Sequence, residues 1–149
     1  MPNNHDSYYM HLANEVASRS KCLSRKVGAV LIRDDSILAT GFNGPPRKAL
    51  HCNYKCPRQV AGFASGEGLH LCPATHAEAN VIAQAAANGV STKGATLYLT
   101  GGIMPCKSCV SLLVNACIFD VVCDSLVAYD ELSIRLMLET GLTVRKPKE

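Results

Sequence analysis

Apolar positions in this chain fall into short runs and helical stripes separated by clear breakers. Tyr8, Leu12, Ala13 and Val16 recur at helical spacing and predict an opening amphipathic helix over 7–21. Val27-Gly28-Ala29-Val30-Leu31-Ile32 and Ile37-Leu38-Ala39-Thr40-Gly41-Phe42 flank Arg33-Asp34-Asp35-Ser36. Two apolar runs around a short acidic turn read as an antiparallel hairpin. Asn43-Gly44-Pro45-Pro46 stops the second strand. From 44 to 74 the periodicity disappears. A structureless loop of that length within a compact domain is uncommon, and it is usually either functional or pinned by something.

The second half alternates. Residues 76–88 are alanine-rich and predict a helix, with Thr75 as N-cap and Gly89 past its end. A strand follows over 95–100, and Gly101-Gly102 turns the chain. Pro105 opens a helix running to about residue 116; then come a strand at 118–123, a helix at 130–139 and a short strand at 142–144. The order α-β-β-α-β-α-β-α-β describes an α/β domain. Helical crossovers make the later strands parallel, whereas the opening hairpin is antiparallel. We therefore expect a mixed five-stranded sheet with helices on both faces.

Composition narrows the picture. The chain has 149 residues, 48% of them apolar, which suits one domain over 1–149 and is too little for two. Charged residues are 18%, and 15 Lys+Arg against 12 Asp+Glu leave a net +3, a balance that excludes disorder and is too mild to announce a nucleic-acid stripe. Aromatics are only 5%, with no Trp, so a base-stacking platform is not expected. No apolar run approaches the ~20 residues of a membrane helix. The opening MPNNHDSYYM lacks a signal-peptide core, so the expectation is a cytoplasmic protein with neither nucleic acid nor membrane as partner. In a reducing compartment, eight cysteines with five histidines point to metal or catalysis rather than disulfides.

Two motifs carry that chemistry. His76-Ala77-Glu78 opens one predicted helix, and Pro105-Cys106-Lys107-Ser108-Cys109 opens the next. Cys106 and Cys109 are three apart, so their sulfurs lie on one side of the first turn and can grip one ion. The helix N-terminus favours their thiolate form. Residues 76 and 78 would diverge by roughly 200° in mid-helix. At the helix tip, however, a histidine can reach a metal off the end while the glutamate stands beside it. Three protein ligands leave a fourth tetrahedral position open, which marks a catalytic zinc rather than a structural one. Glu78, a carboxylate that is not a ligand, is then placed to accept a proton from water. Alone, His-x-Glu reads as capping and surface charge, and Cys-x-x-Cys as a redox pair or half a structural site. Together they match the H-x-E…P-C-x-x-C pattern of zinc deaminases.

The chain resembles the deoxycytidylate (dCMP) deaminases of the cytidine deaminase-like superfamily. The resemblance runs over about 8–144. It is carried by Ser20-Lys21-Cys22-Leu23-Ser24-Arg25-Lys26-Val27-Gly28, Thr40-Gly41-Phe42-Asn43-Gly44-Pro45-Pro46, Cys56-Pro57-Arg58 and Cys72-Pro73-Ala74-Thr75-His76-Ala77-Glu78. It implies a three-layer α/β/α fold and zinc-dependent conversion of dCMP to dUMP and ammonia, supplying dTTP precursors. His76, Cys106 and Cys109 would hold the zinc, and Glu78 would take and return the proton. Asn43 matches the position that bonds the sugar hydroxyl, and backbone around Gly28 and Ala29 would lie close to the base. Ser24, Arg25, Lys26 and Tyr129 are candidates for the 5′-phosphate. A second, structural zinc is implied in the irregular segment, with Cys22, Cys52 and His70 the best matches and Cys56 or Cys72 completing the set. Cys117 and Cys123 read as small core residues. A homo-oligomer, commonly a hexamer, with dCTP as activator and dTTP with Mg2+ as inhibitor, is implied too.

Several positions depart from the family pattern. The link at 101–104 is longer than usual, Cys117 stands where glycine is common, Phe42 replaces a tyrosine, and Tyr129 falls two positions late. Other substrates (cytidine, guanine, a tRNA adenosine) and a zinc-binding module without turnover remain open readings.

Overall fold

A computed structural model describes residues 5–148. Five strands form one mixed sheet: β1 (Gly28–Arg33), β2 (Ser36–Phe42), β3 (Thr96–Thr100), β4 (Asp120–Cys123) and β5 (Thr143–Arg145), in the spatial order β2-β1-β3-β4-β5. β1 runs antiparallel to both β2 and β3, and β3-β4-β5 are parallel. The β1–β2 turn is Asp34-Asp35, and both residues have positive φ (52° and 56°), as a two-residue hairpin of native twist requires.

Helix α1 (Asp6–Ala17) covers one face, and α3 (Ala77–Ala87), α4 (Lys107–Asn115) and α5 (Glu131–Thr140) pack on the other. This is the expected three-layer α/β/α architecture. A short helix α2 (Pro57–Val60) and a 3-10 turn (Leu69–Leu71) interrupt the irregular segment. The larger core joins Leu31, Leu97 and Leu99 of the sheet to Val81, Val110 and Leu113 of the helices; a smaller one joins Val30, Tyr98 and Val122 to Tyr9, Met10 and Ala13. Among the described residues no helix is long and apolar enough to cross a membrane.

Three local expectations are corrected. The first helix ends at Ala17, not 21, and its inner stripe is Asp6, Tyr9, Met10, Ala13 and Ala17, while Tyr8 is 59% exposed. Asp6 sets that rotation. Its carboxylate accepts from the buried Tyr98 hydroxyl at 2.8 Å and from Arg145 Nη1 at 2.6 Å, drawing its own side of the helix inward. Helix α3 is N-capped by His76, not Thr75; Thr75 instead pairs its backbone with Gly44 (3.1 and 2.8 Å). That bridge closes the base of the 44–75 excursion. Cys123 is buried as expected, and burial pushes its thiol up to about 12. Cys117 is only half-buried and takes a left-handed φ of 60° at the end of α4.

Candidate metal centre and its cavity

β2 and β3 point the same way on either side of β1, so the N-termini of α3 and α4 meet near the same end of the sheet. Two contacts hold α3 tightly there. Gly41 leaves no Cβ between β2 and the α3 backbone, and Asn80 Nδ2 donates to the carbonyl of Phe42 at 2.7 Å. Gln84 Oε1 accepts from Thr40 N at 2.5 Å, so polar side chains of α3 occupy the free edge of β2.

His76 and Cys106 are both N-caps with extended backbone (ψ 152° and 169°). Their side chains therefore leave the helix ends instead of following the helix surface. His76 Nδ1 lies 3.5 Å from the sulfur of Cys106 and 3.5 Å from that of Cys109. A tetrahedral zinc with Zn–S near 2.3 Å and Zn–N near 2.0 Å requires an N···S separation of about 3.5 Å. The three donors thus fit one zinc. Among the described residues they are the one group of three or more His, Cys, Asp or Glu donors close enough to share an ion.

The donors also prepare one another electrostatically. A hydrogen bond from Cys109 is the main cause lowering the Cys106 thiol pKa, with His76 helping; Cys109 is held up as the partner that keeps the proton. His76 is raised chiefly by its hydrogen bond to Cys106. A cation at this point replaces those protons. Glu78, one residue inside α3, is 5% exposed, and burial raises its carboxyl pKa above the ordinary range. A carboxyl tuned upward in this way is better suited both to accept a proton and to return it.

A cavity of about 310 Å³ opens over this centre and has His76, Glu78 and Cys106 in its wall. Ser24, Arg25, Asn43 and Tyr129 line it as well. The Tyr129 ring stands 6.0 Å from the His76 ring. Lys26 is exposed and lies outside the wall. Asn43 is more than a turn residue: Val27 N donates to its Oδ1 and its Nδ2 donates to the carbonyl of Arg25, both at 2.8 Å. It fixes the segment that carries Ser24 and Arg25.

The expectation for Gly28 is corrected. A Cβ there would meet the carbonyl of Ala13 at 2.1 Å, so this glycine serves the close packing of α1, and neither Gly28 nor Ala29 lines the cavity. Cys22, Cys52 and His70 do not come close enough to share an ion. His70 packs edge-on against Phe63, while the groups raising the Cys52 thiol are its own burial and then Cys56, Cys72 and Cys22. Sequence reasoning missed Arg58, which is buried and lines the cavity. An arginine in a loop without periodicity gives no burial signal.

A His-x-Glu at one helix start facing a Pro-Cys-x-x-Cys at another, on an α/β/α sheet, defines the zinc-deaminase class. The chain belongs to the cytidine and deoxycytidylate deaminase family, whose zinc-binding region matches residues 3–125. It is 39% identical to a deoxycytidylate deaminase of Saccharomyces cerevisiae, over 95% of this chain and 44% of that protein. A Mycobacterium phage D29 deoxycytidylate deaminase is 38% identical over 72% of this chain and 84% of its own length. The chain spans less than half the length of the two yeast relatives it matches (44% and 43%). The crystal structure of the cyanophage S-TIM5 dCMP deaminase in complex with dCMP and dUMP superimposes with a TM-score of 0.78 at 26% identity, covering 98% of each chain.

Proposed function

We propose that the 149 residues act as one deaminase domain that hydrolyses dCMP to dUMP and ammonia. The observation that carries this reading is the buried Glu78 beside three zinc donors at the wall of a cavity. Zinc, when bound, supplies an activated water and stabilises developing negative charge. Glu78 would carry one proton of the attacking water to ring N3 and then the remaining hydroxyl proton to the amine, which leaves as ammonia while C4 becomes a carbonyl. Asn43 holds the Ser24–Arg25 segment against the sugar and phosphate, and Tyr129 closes the opposite wall. Lys26 acts at most from the rim.

A second, structural zinc belongs to the same proposal. Its support is a segment without a core of its own in which Cys56, Cys72 and Cys22 all act on the Cys52 thiol; as the segment is folded here no three of these sulfurs stand close enough to share an ion. Those thiols, rather than His70, are the ligands we favour. Cytoplasmic location, a homo-oligomer and control by dCTP, or by dTTP with Mg2+, complete the proposal. The test is metal analysis joined to turnover of dCMP, cytidine and deoxycytidine, with and without dCTP. Bound zinc and a preference for dCMP are expected. A preference for the unphosphorylated nucleosides, or zinc without turnover, overturns the reading.

A further inference from the structure

Arg58 is only 8% exposed, although arginine is seldom buried without an anion beside it. It forms no ion pair with any described carboxylate. Its Nη1 donates to the carbonyl of Glu67 at 3.0 Å, while its Nε is sealed from solvent and has no hydrogen-bond partner. The same side chain lines the cavity that holds Glu78 and His76. A buried guanidinium at the wall of the reaction cavity, paired with no carboxylate, is suited to receive an anion there. Arg25 and Lys26, the basic residues nearest in the motif, are both exposed and well hydrated. A solvated cation discriminates weakly, because water replaces a lost anion at little cost. A buried guanidinium cannot make that exchange.

We propose that Arg58 receives the 5′-phosphate of the substrate and so sets the preference for nucleotide over nucleoside. The inference rests on the dCMP reading above and deepens it. The phosphate brings nearly two negative charges and several acceptor oxygens, and the planar guanidinium matches it in charge and geometry. A nucleoside in the same cavity leaves Arg58 as it is in the free protein, facing only the Glu67 carbonyl and the Cys56 sulfur. The rival role is internal. The sulfur of Cys56 is stabilised as thiolate first by the backbone N–H of Gln59 and also by Arg58, so Arg58 could serve that loop alone.

The test compares wild type, Arg58→Gln and Arg58→Lys on dCMP and on deoxycytidine. With Gln, kcat/KM for dCMP falls on the order of 100-fold, mostly through KM, while deoxycytidine changes by less than about threefold. Lysine keeps the charge and loses the fork, so the fall on dCMP is about tenfold and again confined to it. An equal fall on both substrates assigns Arg58 to the loop and overturns the proposal, as does an unchanged dCMP preference. Should the glutamine variant not fold, the lysine variant decides on the same criteria. A wild type that prefers deoxycytidine removes the dCMP reading and this proposal together. A wild type that prefers dCMP, with variants that keep that preference, removes this proposal alone.

Discussion

Gly41 of β2 lies so close to α3 that a Cβ on it would stand 2.7 Å from the carbonyl oxygen of Ala77 and 2.5 Å from the amide nitrogen of Val81. Ala77 sits between His76 and Glu78, so this contact sets how deeply the candidate metal ligand and the candidate proton carrier enter the site. Gly41→Ala is expected to cost about 1–3 kcal/mol of stability and to weaken zinc retention. Gly28→Ala, which strains α1 instead, costs a similar amount and leaves zinc in place. Denaturant unfolding with metal analysis separates the two. Equal zinc retention in both variants would contradict the coupling of β2 to the centre.

Glu78→Gln preserves shape and removes the charge that burial penalises. The variant should bind zinc normally, be at least as stable as wild type, and lose about 10²–10⁴-fold in kcat. Steady-state rates on zinc-replete protein check this. Near-normal turnover would remove Glu78 from proton transfer.

Burial would by itself raise the Asp6 pKa, but hydrogen bonds from Arg145, the backbone of Lys148 and Tyr98 outweigh it and hold the carboxyl below its ordinary 3.8. The unfolded chain therefore takes up this proton before the folded one does. The stabilisation is complete above the ordinary pKa and is lost as pH falls through the lowered folded value. Asp6→Asn should flatten this part of the acid limb. Thermal unfolding of both proteins from about pH 6 to about pH 3 measures it. Parallel curves would exclude the Asp6 network as an acid-sensitive tie between α1 and the chain end.

Helix α4 ends in a Schellman motif: Cys117 N bonds the Val114 carbonyl and Ile118 N the Leu113 carbonyl, both at 2.9 Å. Cys117 occupies the left-handed position of that motif, where a side chain is disfavoured. In α3 the corresponding residue is Gly89, with φ 67°. Cys117→Gly is expected to stabilise the protein by about 0.5–1 kcal/mol, after subtracting the greater freedom of glycine in the unfolded chain. A lower midpoint in urea would mean that the half-buried thiol contributes more by packing than its backbone costs.

The strands and long helices were legible because their apolar periods are strong: the 27–32 and 37–42 runs and the alanine-rich 76–88 stretch each admit one reading. The metal donors were legible because their spacing at two helix starts is itself the chemistry. What escaped depended on distant partners. The rotation of α1 follows from Asp6 meeting Tyr98 and Arg145, 92 and 139 residues away. Gly28 looked like room for a base because a sequence does not reveal that α1 fills that space. Nothing in the sequence marked Arg58 for burial, since its burial arises from the folding of a segment without periodicity.

Deamination at this centre requires that His76, Cys106 and Cys109 share one ion and leave it a free corner beside Glu78. The direct measurement is an anomalous-difference map of the crystallised protein at the zinc edge. A peak is expected about 2.0 Å from the His76 nitrogen and about 2.3 Å from both sulfurs, with its fourth ligand a water. No peak there, or a fourth ligand drawn from the protein, would contradict it.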